Sequence, residues 1–147
     1  MGRLPSPLPR PVNPLDTRIR QALAALYDEL DRETSRRGWE CSACGSCCRF
    51  REYGHELWLT DVELAFLVDG AGSREVRDDG ACPYLDGDAC AARGCRAFGC
   101  RACFCRAGPG EGEALFEIHF RRLREVLATL GIDPEYGELL ASLEDRG

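Results

Sequence analysis

The sequence predicts a single small, mainly α-helical domain with an irregular, cysteine-rich middle that contains a β-hairpin. Three observations lead to this fold class. Two long amphipathic stretches with helical spacing flank the middle of the chain, all ten cysteines lie between positions 41 and 105, and an Asp-Gly turn signal stands within the second cysteine run. A chain of 147 residues with 44% hydrophobic content can bury one modest core.

Residues 1–14 are predicted to be a disordered, proline-rich tail, which leaves residues 15–147 as the folded domain. Proline lacks a backbone donor and favours an extended, solvated chain. The tail contains Pro5, Pro7, Pro9, Pro11 and Pro14.

The first helix is predicted to begin after Asp16 and to stop at Gly38, just before the first cysteine run. Its apolar side chains recur at steps of four, three and four residues, which is the spacing of one buried helix face. They are Ile19, Leu23, Leu26 and Leu30.

A short strand at Leu57–Leu59 and a helix are predicted next. Thr60 and Glu63 have the spacing of a capping box, in which each side chain accepts a hydrogen bond from the backbone of the other residue. The helix is expected to run to about Val68.

The segment from Cys82 to Cys90 is predicted to be a tight hairpin because it contains Asp86-Gly87. Two registers are open at this point. A two-residue turn at Asp86-Gly87 would place the two cysteines on opposite faces of the hairpin. A three-residue loop through Asp88 would place them on the same face.

A second long amphipathic helix is predicted after the cysteines, ending at Gly131. Asp133 and Pro134 then predict a terminal helix, as N-cap and first helical residue. The two long helices are expected to hold the cysteine-rich middle between them. The apolar stripe of the second one is Phe116, His119, Leu123, Val126 and Leu130.

Composition argues against several classes of protein. The net charge of -6 argues against a nucleic-acid partner, because such binding usually needs a basic surface. No apolar run approaches the roughly 18 residues of a membrane span, and the amino terminus lacks the apolar run of a signal peptide. We therefore expect a cytoplasmic protein with no membrane contact. The sequence does not identify a protein partner.

Three uses compete for the cysteines: disulfides, thiol redox chemistry, and metal or iron–sulfur ligation. Disulfide frameworks belong mainly to secreted chains. Adjacent residues such as Cys47 and Cys48 also bridge each other poorly, since neighbouring Cα atoms lie about 3.8 Å apart, below the usual disulfide range. No thioredoxin-like strand–helix pattern surrounds the Cys-x2-Cys pairs. Thiolates gathered on a metal fit the sequence better.

The spacing of Cys41, Cys44 and Cys47 lets a tight backbone turn bring three thiolates to one metal. Bacterial ferredoxins share this spacing, but their fourth cysteine comes after three further residues, whereas Cys48 follows here at once. A structural zinc site completed by cysteines of the hairpin is also open.

The cysteine pattern resembles that of a known family. The order Cys41-x2-Cys44-x2-Cys47-Cys48, Cys82-Pro83-x-Leu85, Cys90 and Arg96-x3-Cys100-Arg101 is similar to the YkgJ-like cysteine-cluster family of bacterial proteins, described as zinc- or iron-chelating. The resemblance spans about Cys41 to Cys105 and leaves Cys95 and Cys103 as extra cysteines. The metal ligands that it implies are Cys41, Cys44, Cys47, Cys48, Cys82, Cys90, Cys100 and Cys105.

Arginines near the second cysteine run supply charge that a thiolate site needs. A metal held by four thiolates carries a net charge of about -2, which positive donors can offset. We expect Arg96 and Arg101 to contact the cofactor, and His119 to pack in the core or to support the cofactor. A competing interpretation is a nucleic-acid patch that stacks bases on Phe98 and Phe104.

The sequence thus predicts a metal-binding protein that holds zinc or iron, the latter as ions or as a 4Fe-4S cluster, through about eight cysteine thiolates. The alternative is an iron–sulfur enzyme for electron transfer or modification of a protein substrate, since some flagellin lysine methylases share the cysteine pattern. Whether the chain is an enzyme is left open. The fold class is mainly α, with a small irregular, β-hairpin, cysteine-rich metal-binding core in one domain.

Overall fold

The structure, a computed structural model, describes residues 17–39, 48–54, 56–87, 89–101 and 110–146. These residues form a single small, mainly helical domain with two short two-stranded sheets. The helices are α1 (Thr17–Arg36), α2 (Phe50–Tyr53), α3 (Asp61–Ala71), α4 (Phe98–Arg101), α5 (Glu111–Thr129) and α6 (Leu139–Arg146). The strands are β1 (Trp58–Thr60), β2 (Leu85–Asp86), β3 (Ala89–Cys90) and β4 (Tyr136–Glu138), and a 3-10 turn covers Arg93–Cys95. The predicted tail, residues 1–14, lies outside the described residues.

The two long helices, α1 and α5, pack against each other and form a helical core. The predicted stop of α1 is confirmed, because the N–H groups of Gly38 and Trp39 bond back to the carbonyls of Ser35 and Thr34, each at 3.0 Å. Arg122 of α5 pairs with a glutamate of α1 at the surface. The helical core consists of Leu23, Leu26, Tyr27, Leu30, Trp39, Val62, Phe98, Leu115, Leu123 and Leu127.

The buried stripe of α5 shares two residues with the predicted stripe and differs from it at the other three. His119 and Leu123 are buried as expected, whereas Phe116 and Val126 are only half-buried. Burial instead follows a four-residue step, because this face meets α1 along its length. Its buried members are Leu115, His119, Leu123 and Leu127.

A second group of buried side chains forms the cysteine-side core. It joins the end of β1, one side of α3, the hairpin β2–β3 and α6. Because α3 faces both cores, with Val62 in the helical core and Leu64 and Leu67 in the other, it lacks a single apolar stripe. The cysteine-side core consists of Cys48, Phe50, Leu57, Leu59, Leu64, Leu67, Ala81, Cys82, Tyr84, Leu85, Ala92, Ala97, Leu139 and Leu143.

The buried side chain of Glu63 links these two cores. The predicted capping box is confirmed: Thr60 Oγ1 accepts the Glu63 N–H at 3.2 Å, and Glu63 Oε2 accepts the Thr60 N–H at 2.8 Å. The other oxygen, Oε1, accepts the N–H of Phe98 at 2.9 Å. One carboxylate therefore fixes the start of α3 and the start of α4 together.

The hairpin adopts neither of the two registers that the sequence left open. Leu85 pairs with Cys90, and Asp86 pairs with Ala89, so positions 87 and 88 lie between the paired residues. Gly87 has φ +62°, a left-handed conformation that glycine adopts without a steric penalty. The turn starts one residue later than predicted because this glycine occupies its first central position.

The terminal helix begins later than predicted. Residues Tyr136–Glu138 form β4 and pair antiparallel with β1, so Pro134 precedes a strand instead of starting a helix. The carboxylate of Glu138 then accepts the N–H groups of Leu140 at 2.7 Å and Ala141 at 3.0 Å. Glu138, not Asp133, caps α6. The pairing of two segments distant in sequence overrides the local helix signal.

The expected position of the cysteines between the two long helices is correct only for α4, which contacts both α1 and α5. The hairpin cysteines instead lie in or against the cysteine-side core. The reason is that α1 and α5 bury their apolar faces against each other, and the hairpin packs with α3 and α6.

Replacing Glu63 with Gln should lower the free energy of unfolding by about 1–3 kcal/mol, because an amide nitrogen then faces a buried backbone N–H and leaves that donor unsatisfied. The exposed Glu75→Gln is the matched control and should change stability by no more than about 0.5 kcal/mol. Urea unfolding followed by circular dichroism measures both variants. Equal stability of the two would contradict the role assigned to Glu63.

The pH dependence of the stability difference between the wild type and Glu63→Gln tests whether ionisation of the buried Glu63 carboxyl contributes to it. Burial raises the pKa of Glu63, and this desolvation outweighs the hydrogen bonds from Thr60 and Phe98. A raised pKa in the folded state gives a contribution to stability that is complete below the unfolded pKa and is lost as the pH rises through the folded pKa. The stability advantage of the wild type over Glu63→Gln should therefore shrink as the pH rises above about 4.3. A difference that is independent of pH would contradict this.

Candidate functional site

All five cysteines in the described part of the chain meet in the cysteine-side core. Cys48 and Cys82 are buried members of it, and three half-buried cysteines pack against it. These three are Cys90 in β3, Cys95 in the 3-10 turn and Cys100 in α4. The five side chains are thiols. The fold therefore gathers cysteines from both cysteine runs of the sequence at one side of the domain.

Cys48 is the point at which the two cysteine runs meet. Its carbonyl accepts the N–H of Cys82 at 2.7 Å, and its thiol donates a hydrogen bond to the sulfur of Cys90. Cys82 and Cys90 lie at the two ends of the hairpin segment. A turn follows Cys82, in which its carbonyl accepts the N–H of Leu85 at 3.0 Å. Three of the cysteines that the family resemblance implies as ligands are thus neighbours.

The surroundings of Cys90 favour its thiolate form. The hydrogen bond from Cys48 is the largest cause, and the N–H of Ala92 and the positive charges of Arg96 and Arg93 act in the same direction. Together they lower the pKa of Cys90 from 9.0 to about 6, although partial burial opposes the shift. A thiolate is the form in which cysteine binds a metal or acts as a nucleophile.

Cys95 has a different environment, because its side chain packs directly onto the backbone of α3. A Cβ atom added at Gly70 would lie 2.2 Å from Cys95 Sγ, which is far inside contact distance. Glycine at this position is what allows the 3-10 turn to approach the helix. The contact gives Cys95 a packing role, in keeping with its place outside the family spacing.

Arg101 holds the segment between the cysteines through contacts with oxygen atoms. Its side chain is 4% exposed, and each of its three nitrogens donates to an oxygen. The acceptors are the carbonyls of Arg96 at 2.6 Å and Gly94 at 2.9 Å, and Asp31 Oδ2 at 2.6 Å. The guanidinium also lies 4.0 Å from the centre of the Tyr27 ring. Arg101 therefore ties the cysteine-bearing turn to α1.

Arg96 differs from Arg101 in that its charge acts on a cysteine. Its Nε donates to the Arg93 carbonyl at 3.0 Å, and its positive charge helps to lower the pKa of Cys90. Whether it contacts a cofactor stays a prediction.

His119 lies in the helical core, and one face of its ring is next to Phe98. Its side chain is 2% exposed. Nδ1 lies 3.0 Å from the Leu115 carbonyl, which can only accept, so Nδ1 carries the proton. Nε2 is buried and has no hydrogen-bond partner among the described residues. The contact of Nδ1 with Leu115 fixes the ring inside the helical core.

The remaining predicted ligands, Cys41, Cys44, Cys47 and Cys105, lie outside the described residues, as does the extra cysteine Cys103. Within the described ranges, no group of three or more His, Cys, Asp or Glu side chains is arranged to hold a metal ion. The described residues instead supply the hydrogen-bonded sulfur pair of Cys48 and Cys90, and the backbone N–H of Cys82 bonds to the Cys48 carbonyl. Two adjacent sulfurs near positive charge fit part of a thiophilic metal site, and further ligands would have to complete it.

The competing nucleic-acid interpretation does not agree with the position of Phe98. This ring is fully buried and packs edge-on against Tyr27, with centroids 4.9 Å apart. A ring inside the helical core cannot stack on a base, so the patch loses one of its two aromatic residues. The other, Phe104, lies outside the described residues.

Sequence reasoning missed several residues that shape the site. Nothing in the sequence marks Asp31 as a structural residue, yet its carboxylate forms the ion pair with Arg101. The close contact of Gly70 with Cys95 has no signal in the sequence. Glu63 was recognised as a capping residue, but its bond to Phe98 joins residues 35 positions apart, which no local pattern reveals.

Comparisons with known proteins gave no match for this chain, whether against family models, curated proteins or solved structures. Membership of the YkgJ-like family therefore stays a prediction from the cysteine spacing. In the described ranges, no helix has the length and apolar character needed to cross a membrane.

Gly70→Ala should destabilise the protein by about 1–3 kcal/mol, because the new methyl group collides with Cys95 Sγ. The same change in a Cys95→Ala background should be neutral or stabilise by up to about 1 kcal/mol, since alanine is the better helix former. Thermal or urea unfolding of the four proteins gives the double-mutant cycle. Additive effects would show that the contact does not exist.

Cys90 should react with iodoacetamide at neutral pH in reduced, metal-free protein, with a rate that rises around pH 6, in line with its pKa of about 6. Cys48→Ala removes the largest cause of the shift and should move the midpoint upward. Mass spectrometry of peptides measures the rate at each pH. A midpoint near the ordinary thiol value of about 8.5 in the wild type would contradict the described surroundings.

Proposed function

We propose that this protein binds zinc or iron through cysteine thiolates. The proposed ligands in the described part of the chain are Cys48, Cys82 and Cys90, which meet at Cys48, and Cys100, which packs against the same core. The observation that carries the proposal is the meeting of the two cysteine runs at Cys48, whose carbonyl bonds to Cys82 and whose thiol bonds to Cys90. Residues 34 and 42 positions away in the sequence are brought to one another without a disulfide among them.

Physical chemistry supports a metal at this position. A buried thiolate is costly unless positive charge or hydrogen bonds stabilise it, and a metal ion supplies the strongest stabilisation. The guanidinium groups of Arg93 and Arg96 supply additional positive charge near Cys90. The remaining ligands are proposed to be Cys41, Cys44, Cys47 and Cys105, on the basis of the sequence pattern.

The donor atoms of the proposed site restrict which metals it can bind. Thiolate sulfur suits zinc and iron–sulfur clusters, including the 4Fe-4S type, and does not suit magnesium or calcium. Such sites need reduced cysteines, so the proposal places the protein in the cytoplasm. Membership of the YkgJ-like family is part of the same proposal.

Anaerobically purified protein should contain metal and should lose much of its helical circular dichroism when the metal is chelated, because cluster thiolates repel each other once the metal is gone. Metal and acid-labile sulfide are measured on the same sample. Zinc without sulfide supports a zinc site, whereas iron with sulfide supports an iron–sulfur cluster. A metal-free protein that keeps its full helical signal would contradict metal binding altogether.

Single Ser variants separate ligands from packing cysteines in the same assay. Cys48→Ser, Cys82→Ser and Cys90→Ser should lower the metal-to-protein ratio, because structural zinc binding is worth roughly 10–16 kcal/mol and depends on each thiolate. Cys95→Ser is the matched control, since serine fits the space beside Gly70 and Cys95 lies outside the ligand set. Loss of metal only in Cys95→Ser would overturn the assignment.

A further inference from the structure

A cavity of about 320 Å³ opens between α1, α3 and the 3-10 turn. Its volume is at the lower end of the range for small-molecule sites, roughly 300–1,000 Å³. The walls combine aromatic rings with guanidinium groups. The residues that matter here are Tyr27, Asp31, Phe66, Arg93, Arg96 and Arg101.

We propose that this cavity binds a small carboxylate with a flat apolar body. None of its lining residues is a proposed metal ligand, so the inference does not rest on the proposed metal-binding function.

The first step of the argument is the charge of the cavity. Asp31 and Arg101 form an ion pair at 2.6 Å and neutralise each other. Within the described ranges, neither Arg93 nor Arg96 has an ion-pair partner, and the single remaining carboxylate is the exposed Asp28. Two unpaired guanidinium groups against one carboxylate leave the cavity with a net positive charge.

The second step is the orientation of a guanidinium. The Nε of Arg96 donates to the Arg93 carbonyl at 3.0 Å, and this bond orients the plane of the group. Its two terminal nitrogens have no hydrogen-bond acceptor among the described residues. A planar guanidinium with its terminal nitrogens available pairs with a carboxylate through two parallel hydrogen bonds. A carboxylate is therefore the anion that fits this wall of the cavity.

The third step is the aromatic wall. Tyr27 and Phe66 pack edge-on with centroids 5.2 Å apart, and Arg101 covers the Tyr27 ring at 4.0 Å. Phe66 is half-buried, so part of its ring is available to a ligand. The available part of this ring favours a ligand whose body is flat and apolar.

Isothermal titration of the full chain, as purified, with benzoate tests the proposal. Benzoate should bind saturably, and Arg93→Gln and Arg96→Gln should each weaken binding by about tenfold, the loss expected for one charged hydrogen-bonded contact. Arg32→Gln, an exposed change on α1 outside the cavity, is the matched control and should leave the affinity unchanged. Both arginines are at or near the surface, so these variants should fold normally.

Two further probes test the ligand class. Benzamidine has nearly the same shape as benzoate and the opposite charge, so it should bind at least about tenfold more weakly. Inorganic phosphate lacks the apolar body and should also bind more weakly than benzoate. The proposal is overturned if benzoate does not bind saturably. It is also overturned if Arg93→Gln and Arg96→Gln bind benzoate as tightly as Arg32→Gln does, or if benzamidine or phosphate binds more tightly than benzoate.

Discussion

The buried carboxylate of Glu63 joins the two cores of this domain. Its two oxygens accept backbone N–H groups from Thr60 and from Phe98, so one side chain fixes the junction of β1 and α3 and the start of α4. Burial of a carboxylate is unfavourable unless its oxygens are hydrogen-bonded, and here the bonds come from backbone donors that would otherwise be orphaned at two helix starts. Residues on either side of Glu63 point into different cores, which makes α3 the shared wall between them.

The position of the cysteines follows from this arrangement. The start of α4 is held by Glu63, its end by the contacts of Arg101 with Asp31 and the 3-10 turn, and the turn itself by the contact between Cys95 and Gly70. These ties fix the segment that follows the hairpin. They also place the charges of the neighbouring arginines near Cys90, where they favour a thiolate. The same turn also forms one wall of the cavity.

Local signals in the sequence predicted the features that local forces determine. The capping box at Thr60, the end of α1 at Gly38 and the existence of α5 depend on neighbouring residues, and the structure confirms them. The hairpin register and the start of α6 were wrong, because a left-handed Gly87 and the pairing of β4 with β1 decide them. Spacing marked the two cysteine runs as the candidate site, and the structure packs their described cysteines into or against one core. Spacing did not reveal that Cys48 is where the two runs meet.

X-ray absorption at the metal edge of the purified protein tests the central claim most directly, because it reports the atoms bound to the metal. The account predicts a first coordination shell dominated by sulfur at about 2.3 Å. It also predicts that Cys90→Ser replaces one sulfur with a lighter atom, while Cys95→Ser leaves the shell unchanged. A shell made only of oxygen and nitrogen, or one that Cys90→Ser does not alter, would contradict it.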